Sequence, residues 1–325
     1  MTGAAAGPAL VLGLDAGGTG SRALAATAQG EVLGRGSGAG ANQHSAPDPA
    51  AALTEALCGA LAGLDPGRVT AGVLGLAGAG PAGRAEAERL AGTAWARAGL
   101  TGRPAVVTDL AVAFAAATVR PDGALLLAGT GAVSALFRER VAVRRCDGYG
   151  WLLGDEGSGV WLGREAVRAA LSALDGRAEP TALVPAVARA LLGDDGAGAA
   201  SDDLPQALLG AVYAAAPARL AGLAPVLDAA ARAGDAVALR IVAEAAERLL
   251  RSALALGPVD PDAPFVLAGS LLTRPTLLAA RVRSGLAAEG LAAPLAAEDG
   301  AAGAAALALR GLGADDAVHV RLLLG

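Results

Sequence analysis

The chain contains no lysine; all 26 of its basic residues are arginine. That absence excludes several chemistries at once. A Walker-type phosphate loop, a protein kinase and a Schiff-base enzyme each need a lysine amine, and none is available. Aromatic residues are scarce as well, at 2% against 54% hydrophobic residues, so the core must be built from Ala, Leu and Val. Cysteine is limited to Cys58 and Cys146, and histidine to His44 and His319. Their separation gives no zinc-ligand spacing. Two cysteines make no disulfide scaffold either, and they fit a reducing compartment. The first residues, Met1-Thr2-Gly3-Ala4, lack the basic and apolar regions of a secretory leader. Apolar runs such as 124–137 fall short of the ~20 residues that a membrane span requires. A formal charge of -5 with dispersed arginines argues against nucleic acid. The expectation is a soluble cytoplasmic protein that binds neither membrane nor nucleic acid. Its 325 residues suffice for one large domain or two of about 100–200 each.

Glycine is what the chain has in quantity, 47 residues, and much of it closes short apolar runs. Val11-Leu12-Gly13-Leu14-Asp15-Ala16-Gly17-Gly18-Thr19 is one such run, and Val73-Leu74-Gly75-Leu76-Ala77-Gly78 is another. Leu125-Leu126-Leu127-Ala128-Gly129-Thr130-Gly131 and Phe265-Val266-Leu267-Ala268-Gly269-Ser270 repeat the form. Each reads as a strand buried on both faces whose C-terminal end opens into a loop that only small residues fit. Four such ends suggest one cleft lined by backbone amides. Helical spacing predicts helices over 49–64, 81–98, 160–174 and 229–256, so strands and helices alternate and the fold class is α/β. Ser21–Gly40 reads as two short strands that follow the first through tight glycine turns. The stretch 176–217 is helical but interrupted by proline and glycine, as in an insertion or cap. A turn at Arg120-Pro121-Asp122-Gly123 divides the chain into domains 1–119 and 120–325, the second carrying that insertion.

The motifs at the strand ends carry chemistry. In Asp15-Ala16-Gly17-Gly18-Thr19, consecutive N–H groups can form a concavity for phosphate oxygens, and Asp15 can hold Mg²⁺ directly or through water. The alternative is an ordinary glycine-rich hairpin turn. Gly129-Thr130-Gly131 offers a second nest, so that a triphosphate would be cradled from two sides, and Gly269-Ser270 completes the pattern as a purine site. Asp109 ends the strand 105–108 ahead of an apolar helix, where a carboxylate can take a proton from a substrate hydroxyl or simply cap the helix. Cys146-Asp147-Gly148-Tyr149-Gly150-Trp151 followed by Gly154-Asp155-Glu156-Gly157-Ser158 combines aromatic rings with carboxylates. A sugar pocket wants that combination, with Asn42 able to add an amide; a capping loop over packed aromatics is the plainer reading. Gly78-Ala79-Gly80-Pro81-Ala82-Gly83 matches the dinucleotide pattern G-x-G-x-x-G. A dinucleotide enzyme, however, would leave the Asp15 loop and the Asp155-Glu156 cluster unexplained.

Taken in order, the Asp15–Thr19 loop, Asp109, Gly129-Thr130-Gly131, Gly154–Ser158 and Gly269-Ser270 give the chain a resemblance to a known family. It resembles the N-acetylglucosamine kinase branch of the actin-like (sugar kinase/Hsp70/actin) ATPases, within the BadF/BadG/BcrA/BcrD ATPases. The resemblance spans nearly the whole chain and implies two ribonuclease-H-like domains with an interdomain cleft that closes over ATP and a hexosamine. It implies phosphates and Mg²⁺ at Asp15, Gly17, Gly18 and Thr19, with Gly129, Thr130 and Gly131 as the second phosphate loop. Gly269 and Ser270 fall at the adenosine, and Asp109 is the base for the sugar 6-hydroxyl. Asn42, Gly148 and Asp155 match sugar contacts, and Cys146, Tyr149 and Glu156 flank them. ATP:N-acetylglucosamine 6-phosphotransferase activity and a homodimer are the implied properties. A kinase for glucosamine or another hexose, or a non-catalytic ATP-binding sugar sensor, are the alternatives. Tyr149 stands where a Trp is common in the family, and Ala132-Val133 where some relatives place Ser-Asn; both departures touch sugar contacts. Cys58 and Cys146 are placed unsuitably for the shared iron–sulfur cluster of the family's reductase activators.

Overall fold

Apolar on both faces, Leu10–Ala16 forms strand β1 at the middle of a five-stranded sheet. The computed structural model describes residues 7–41, 48–197, 203–260 and 262–325. β1 pairs antiparallel with β2 (Gly20–Thr27), and β2 with β3 (Val32–Ala39). Helix α1 (Pro49–Ala60) then leads to β4 (Val69–Leu76), parallel to β1. Helix α2 (Arg84–Arg97) leads on to β5 (Ala105–Thr108), parallel to β4, and α3 (Asp109–Ala115) follows directly. The strand order is β3-β2-β1-β4-β5. Period-two alternation sends Leu12 and Leu14 to the face covered by α1 and α2, and Val11 to the opposite face with Leu24, Ala26 and Val73. The two strands expected within 21–40 follow β1 through tight glycine turns at Gly17–Gly20 and at Gly30, and the glycines of β3 serve a different purpose. Gly34, Gly36 and Gly38 lie inside the strand, where a Cβ would run into the carbonyls of Ala60, Ala56 and Ala52 on α1. The sequence saves space there so that a helix backbone can rest directly on a strand.

The second sheet repeats this plan. β6 (Gly123–Ala128) pairs antiparallel with β7 (Ala132–Arg138), and β8 (Val141–Asp147) lies beyond β7. A helical stretch follows: α4 (Gly159–Leu174), α5 (Leu183–Ala197), α6 (Leu204–Tyr213), α7 (Ala224–Arg232) and α8 (Ala236–Leu254). β9 (Phe265–Ala268) then enters parallel to β6, and α9 (Ser270–Thr273), α10 (Leu277–Ala288) and β10 (Leu295–Ala296) complete the order β10-β9-β6-β7-β8. Read from its antiparallel edge, that is the first sheet's order again. The shared topology accounts for the recurring strand-end motif. Gly78, two residues after β4 (φ +85°), and Gly269, directly after β9 (φ +82°), both turn the chain with positive φ, so the dinucleotide-like G-x-G-x-x-G begins in a strand-end turn of the first sheet.

The described parts of segment 176–217 contribute to this unit's core, because Leu183, Val187, Ala188, Leu204 and Leu208 are buried with Leu126, Leu162 and Leu267. Pro185 and Pro205 stand in the first turns of α5 and α6, where a missing N–H costs little, so they start helices. The helix expected over 229–256 is two, separated at Gly234 (φ +89°) with Asp235 capping α8.

The chain returns to the first unit at its end. Helices α11 (Gly300–Gly311) and α12 (Asp316–Leu324) belong with residues 1–121, so the units comprise 1–121, 138–142 and 297–325 on one side and 122–137 with 143–296 on the other. Residues 297–325, which the turn at 120–123 places in a domain 120–325, make their contacts in the first unit. The reason is steric. Gly13 of β1 leaves room for the backbone of Ala301 and Ala305, and Gly303 of α11 leaves room for Val112 and Ala116 of α3. α11 is thereby wedged between β1 and α3. From α12, buried His319 donates through Nε2 to the Ala115 carbonyl at the end of α3, at 2.8 Å. Among the described residues no helix is long and apolar enough to cross a membrane.

Candidate active site

The first unit gathers three aspartates. Asp15 is the sixth residue of β1, Asp109 the first of α3, and Asp299 the N-cap of α11, accepting from the amides of Ala301 and Ala302. Burial raises the Asp15 carboxyl to about 7, helped by the charges of Asp109 and Asp299 and opposed by Arg22, its cross-strand partner on β2. Asp15 nonetheless keeps some contact with solvent. Gly300 is fitted against it, since a Cβ there would fall on the Asp15 carboxylate. Asp109 accepts the Leu110 amide at 3.0 Å while Thr108 caps the helix. The capping expected of Asp109 thus falls to its neighbour, and Asp109 is half-buried beside Asp15. Asp299 is also ion-paired with Arg35.

Beside Asp15 the β1–β2 connection is a tight turn closed by Gly17 N–H to Gly20 O at 3.0 Å. The amides of Gly18 and Thr19 meet no backbone acceptor among the described residues. The alternative of an ordinary glycine-rich hairpin turn describes this backbone.

In the second unit, Gly129-Thr130-Gly131 joins β6 to β7 in the corresponding place. The α4 N-terminus holds its carbonyls, with Gly159 N–H on Gly129 O at 2.8 Å and Val160 N–H on Thr130 O at 3.2 Å. With the carbonyls occupied, the Thr130 and Gly131 amides keep no backbone acceptor among the described residues. Gly269 abuts this loop; its positive φ suits glycine, and a Cβ there would strike the Ala128 carbonyl. Ser270 begins α9 directly after it.

Asp155 links the same loop to the aromatic segment. Its carboxylate accepts from Gly150 at 3.3 Å and from the Ala132 amide, and a Cβ on Gly131 would lie 2.7 Å from its Oδ2. Burial, then Asp147, raise Asp155 to about 6 against those two amides and Arg145. Tyr149 and Trp151 are exposed, at 71% and 46%. Glu156 instead pairs with Arg248, whose guanidinium lies 5.2 Å over the Trp161 ring, and Cys146 packs against the core as a small apolar group. Gly148 lies between Val133 and Arg145. Asn42 lies outside the described residues.

Three participants escaped the sequence reading. Arg22 and Asp299 act on Asp15, and the pairing of β1 with β2 gave a signal for Arg22 alone. Asp147 is the third, and its carboxylate accepts from Gly148, Asp155 and Glu156.

Two five-stranded sheets of one topology, each opening after its first strand into a glycine-rich turn, match an actin-like ATPase fold. The chain matches the BadF/BadG/BcrA/BcrD ATPase family over residues 12–308 and belongs to it. It is 30% identical over 160 residues to an N-acetylmuramic acid/N-acetylglucosamine kinase of Clostridium acetobutylicum. That match covers 49% of this chain and 49% of the relative, so the chain spans about half the length of the curated relative it matches. The solved structure of a candidate N-acetylglucosamine kinase from Chromobacterium violaceum superimposes with a TM-score of 0.72 at 29% identity, covering 92% of this chain and 99% of that one. A ROK family glucokinase from Streptomyces griseus, solved with glucose and AMPPNP, shares the fold at a TM-score of 0.57 and 20% identity, covering 93% and 100%.

Proposed function

We propose that this chain is an ATP-dependent sugar kinase that transfers the γ-phosphoryl group to the 6-hydroxyl of N-acetylglucosamine, giving ADP and N-acetylglucosamine 6-phosphate. The observation that carries this reading is the pair Asp15 and Asp109, close enough for one charge to raise the other's pKa, beside a turn with unpartnered amides. Asp109 takes the hydroxyl proton as the sugar oxygen attacks phosphorus. The amides of Gly18, Thr19, Thr130 and Gly131 bind phosphate oxygens, and Gly269 with Ser270 borders the adenosine. With no lysine in the chain, positioning and backbone dipoles carry the transfer. Asp155, Gly148, Tyr149 and Asn42 hold the sugar, with Cys146 and Glu156 at the margin.

Mg²⁺ fits this donor set. It takes one or two carboxylates together with waters and phosphates, not a closed protein cage, and among the described residues no three His, Cys, Asp or Glu side chains form such a cage. Asp15 would hold the ion, which supplies charge neutralisation on the phosphates when bound. The same reading has the enzyme act as a homodimer in the cytoplasm.

The test is a coupled ADP-release assay with ATP and Mg²⁺ across N-acetylglucosamine, N-acetylmuramic acid, glucosamine, N-acetylmannosamine and glucose. Turnover on N-acetylglucosamine is expected, and loss of several orders of magnitude in Asp109→Asn with both ligands still bound. Turnover confined to another sugar corrects the substrate. Binding of ATP without turnover on any sugar overturns the kinase reading in favour of a sensor.

A further inference from the structure

Between the end of β8 and the start of α4, one side chain, Asp147, accepts three backbone amides of the segment. We propose that Asp147 is the positioning residue of the sugar loop, the group that shapes residues 148–156 so that Asp155 and the rings of Tyr149 and Trp151 can meet the sugar. The proposal rests on the kinase reading above and extends it to a residue that touches no substrate.

The geometry is specific. One oxygen of Asp147 accepts from Gly148 N–H and from Asp155 N–H, both at 2.7 Å, and the other accepts from Glu156 N–H at 2.8 Å. Three amides occupy the carboxylate, which closes a loop eight residues long onto its own root. Gly154 is packed so tightly on it that a Cβ there would land on Oδ1. Both aspartates are left-handed, Asp147 at φ +65° and Asp155 at φ +54°, a region that non-glycine residues enter at a cost. Strain of that kind persists where the surroundings enforce it, and here the three amide bonds do so.

The consequence falls on Asp155. Because its backbone is pinned to Asp147, its own carboxylate is directed to Gly150 and Ala132, next to Gly131. Between these two aspartates the loop is a turn closed by the Leu153 and Gly154 amides on the Gly150 carbonyl, with Arg164 reaching the Trp151 carbonyl, while the side chains of Tyr149, Trp151, Leu152 and Leu153 are all exposed. The charged groups around Asp155 are Asp147 and Arg145 of β8, with Glu156 engaged by Arg248 of α8 and Arg248 also by Glu244. Asp147 is the negative one that faces Asp155, so it keeps that carboxyl easier to protonate.

Two variants test this. Asp147→Asn preserves shape but turns an NH₂ towards an amide N–H, and it removes the charge. Asp147→Gly removes the carboxylate and relieves the backbone strain, which protects folding. In both, KM for the sugar should rise roughly tenfold or more while KM for ATP stays within about twofold, the signature of lost sugar positioning. The wild-type kcat/KM for sugar should fall as pH drops below about 6, where Asp155 protonates. In Asp147→Asn that limb should move to lower pH by roughly half a unit or more, since a raising charge is gone. A merely structural role would lower the melting temperature and leave the limb in place, which would overturn the proposal, as would unchanged KM in Asp147→Gly. Hydrogen exchange keeps the outcome separate from the kinase reading. The amides of Asp155 and Glu156 should be protected in wild type and exposed in Asp147→Gly whether or not any sugar is phosphorylated. Equal protection in both refutes the role of Asp147 alone.

Discussion

Asp15→Asn should make the first unit more stable while destroying its chemistry, and the gain should depend on pH. The Asp15 carboxyl sits at about 7 in the fold against an ordinary 3.8. A gap of about three units at ~1.36 kcal/mol each corresponds to about 4 kcal/mol. The sign follows from proton binding. Between pH 4 and 7 the folded protein holds a proton that the unfolded chain has released, so this group's contribution to stability falls as pH rises. Above pH 7 the full cost is present; below pH 4 it vanishes. A neutral asparagine of the same shape removes the cost, and Asp15's residual solvent contact softens it. We expect the variant to exceed wild type by about 2–4 kcal/mol at pH 8 and by little at pH 4. Urea unfolding at several pH values measures this. Trp95, buried in the first unit, serves as the fluorophore in a background where Trp151 and Trp161 are Phe. A stability difference that is the same at every pH would refute the account of Asp15 as a destabilised carboxylate.

Gly300→Ala places a methyl group on the Asp15 carboxylate; kcat should fall tenfold or more for a stability loss of about 1–3 kcal/mol, read by steady-state kinetics and thermal melting. Gly269→Ala meets both a positive φ and the Ala128 carbonyl, and calorimetry should show nucleotide affinity reduced with sugar affinity retained. Asp235 caps α8 through Ala238 and ties in Thr181 and Ala182, so Asp235→Ala should cost about 1–3 kcal/mol. Burial pushes that carboxyl up, but its amide and hydroxyl bonds together hold it below the ordinary range. The Asp235→Ala deficit should therefore shrink as acid protonates the wild-type group.

Much of this was written in the chain where periodicity and punctuation coincide. β1, β4, β6 and β9 stood out because apolar runs on both faces end in glycine, and Asp109 stood out at the end of such a run. The rest depended on contacts far apart in sequence. Nothing local says that the alanine-rich stretch of α11 belongs on β1; the match lies in Gly13 and Gly303, which look like any other glycines in a chain with so many. Asp299-Gly300 reads as an ordinary helix cap until the fold brings it to Asp15. Asp147 was visible only as one residue among aromatics, because its partners lie eight and nine positions on. Prolines 185 and 205 misled for a related reason, since a residue that breaks a helix inside also begins one.

The return of α11 and α12 to the first unit sets an order of assembly. Synthesis runs from N- to C-terminus, yet the face of the first sheet formed by Val11, Leu24, Ala26 and Val73 is covered chiefly by residues 300–324. Until those residues emerge from the ribosome, Val112 of α3 is the only earlier helical residue of that cluster among the described residues, and most of the face stays uncovered. The second unit draws only on residues 122–296, so it can finish first, with the earlier-made half waiting beside it. During that interval the nascent chain exposes apolar sheet surface, the kind of surface that chaperones bind and that aggregates form through. The carboxylate cluster is equally late, because Asp299 and Gly300 reach Asp15 only when α11 docks, and active protein cannot exist before then.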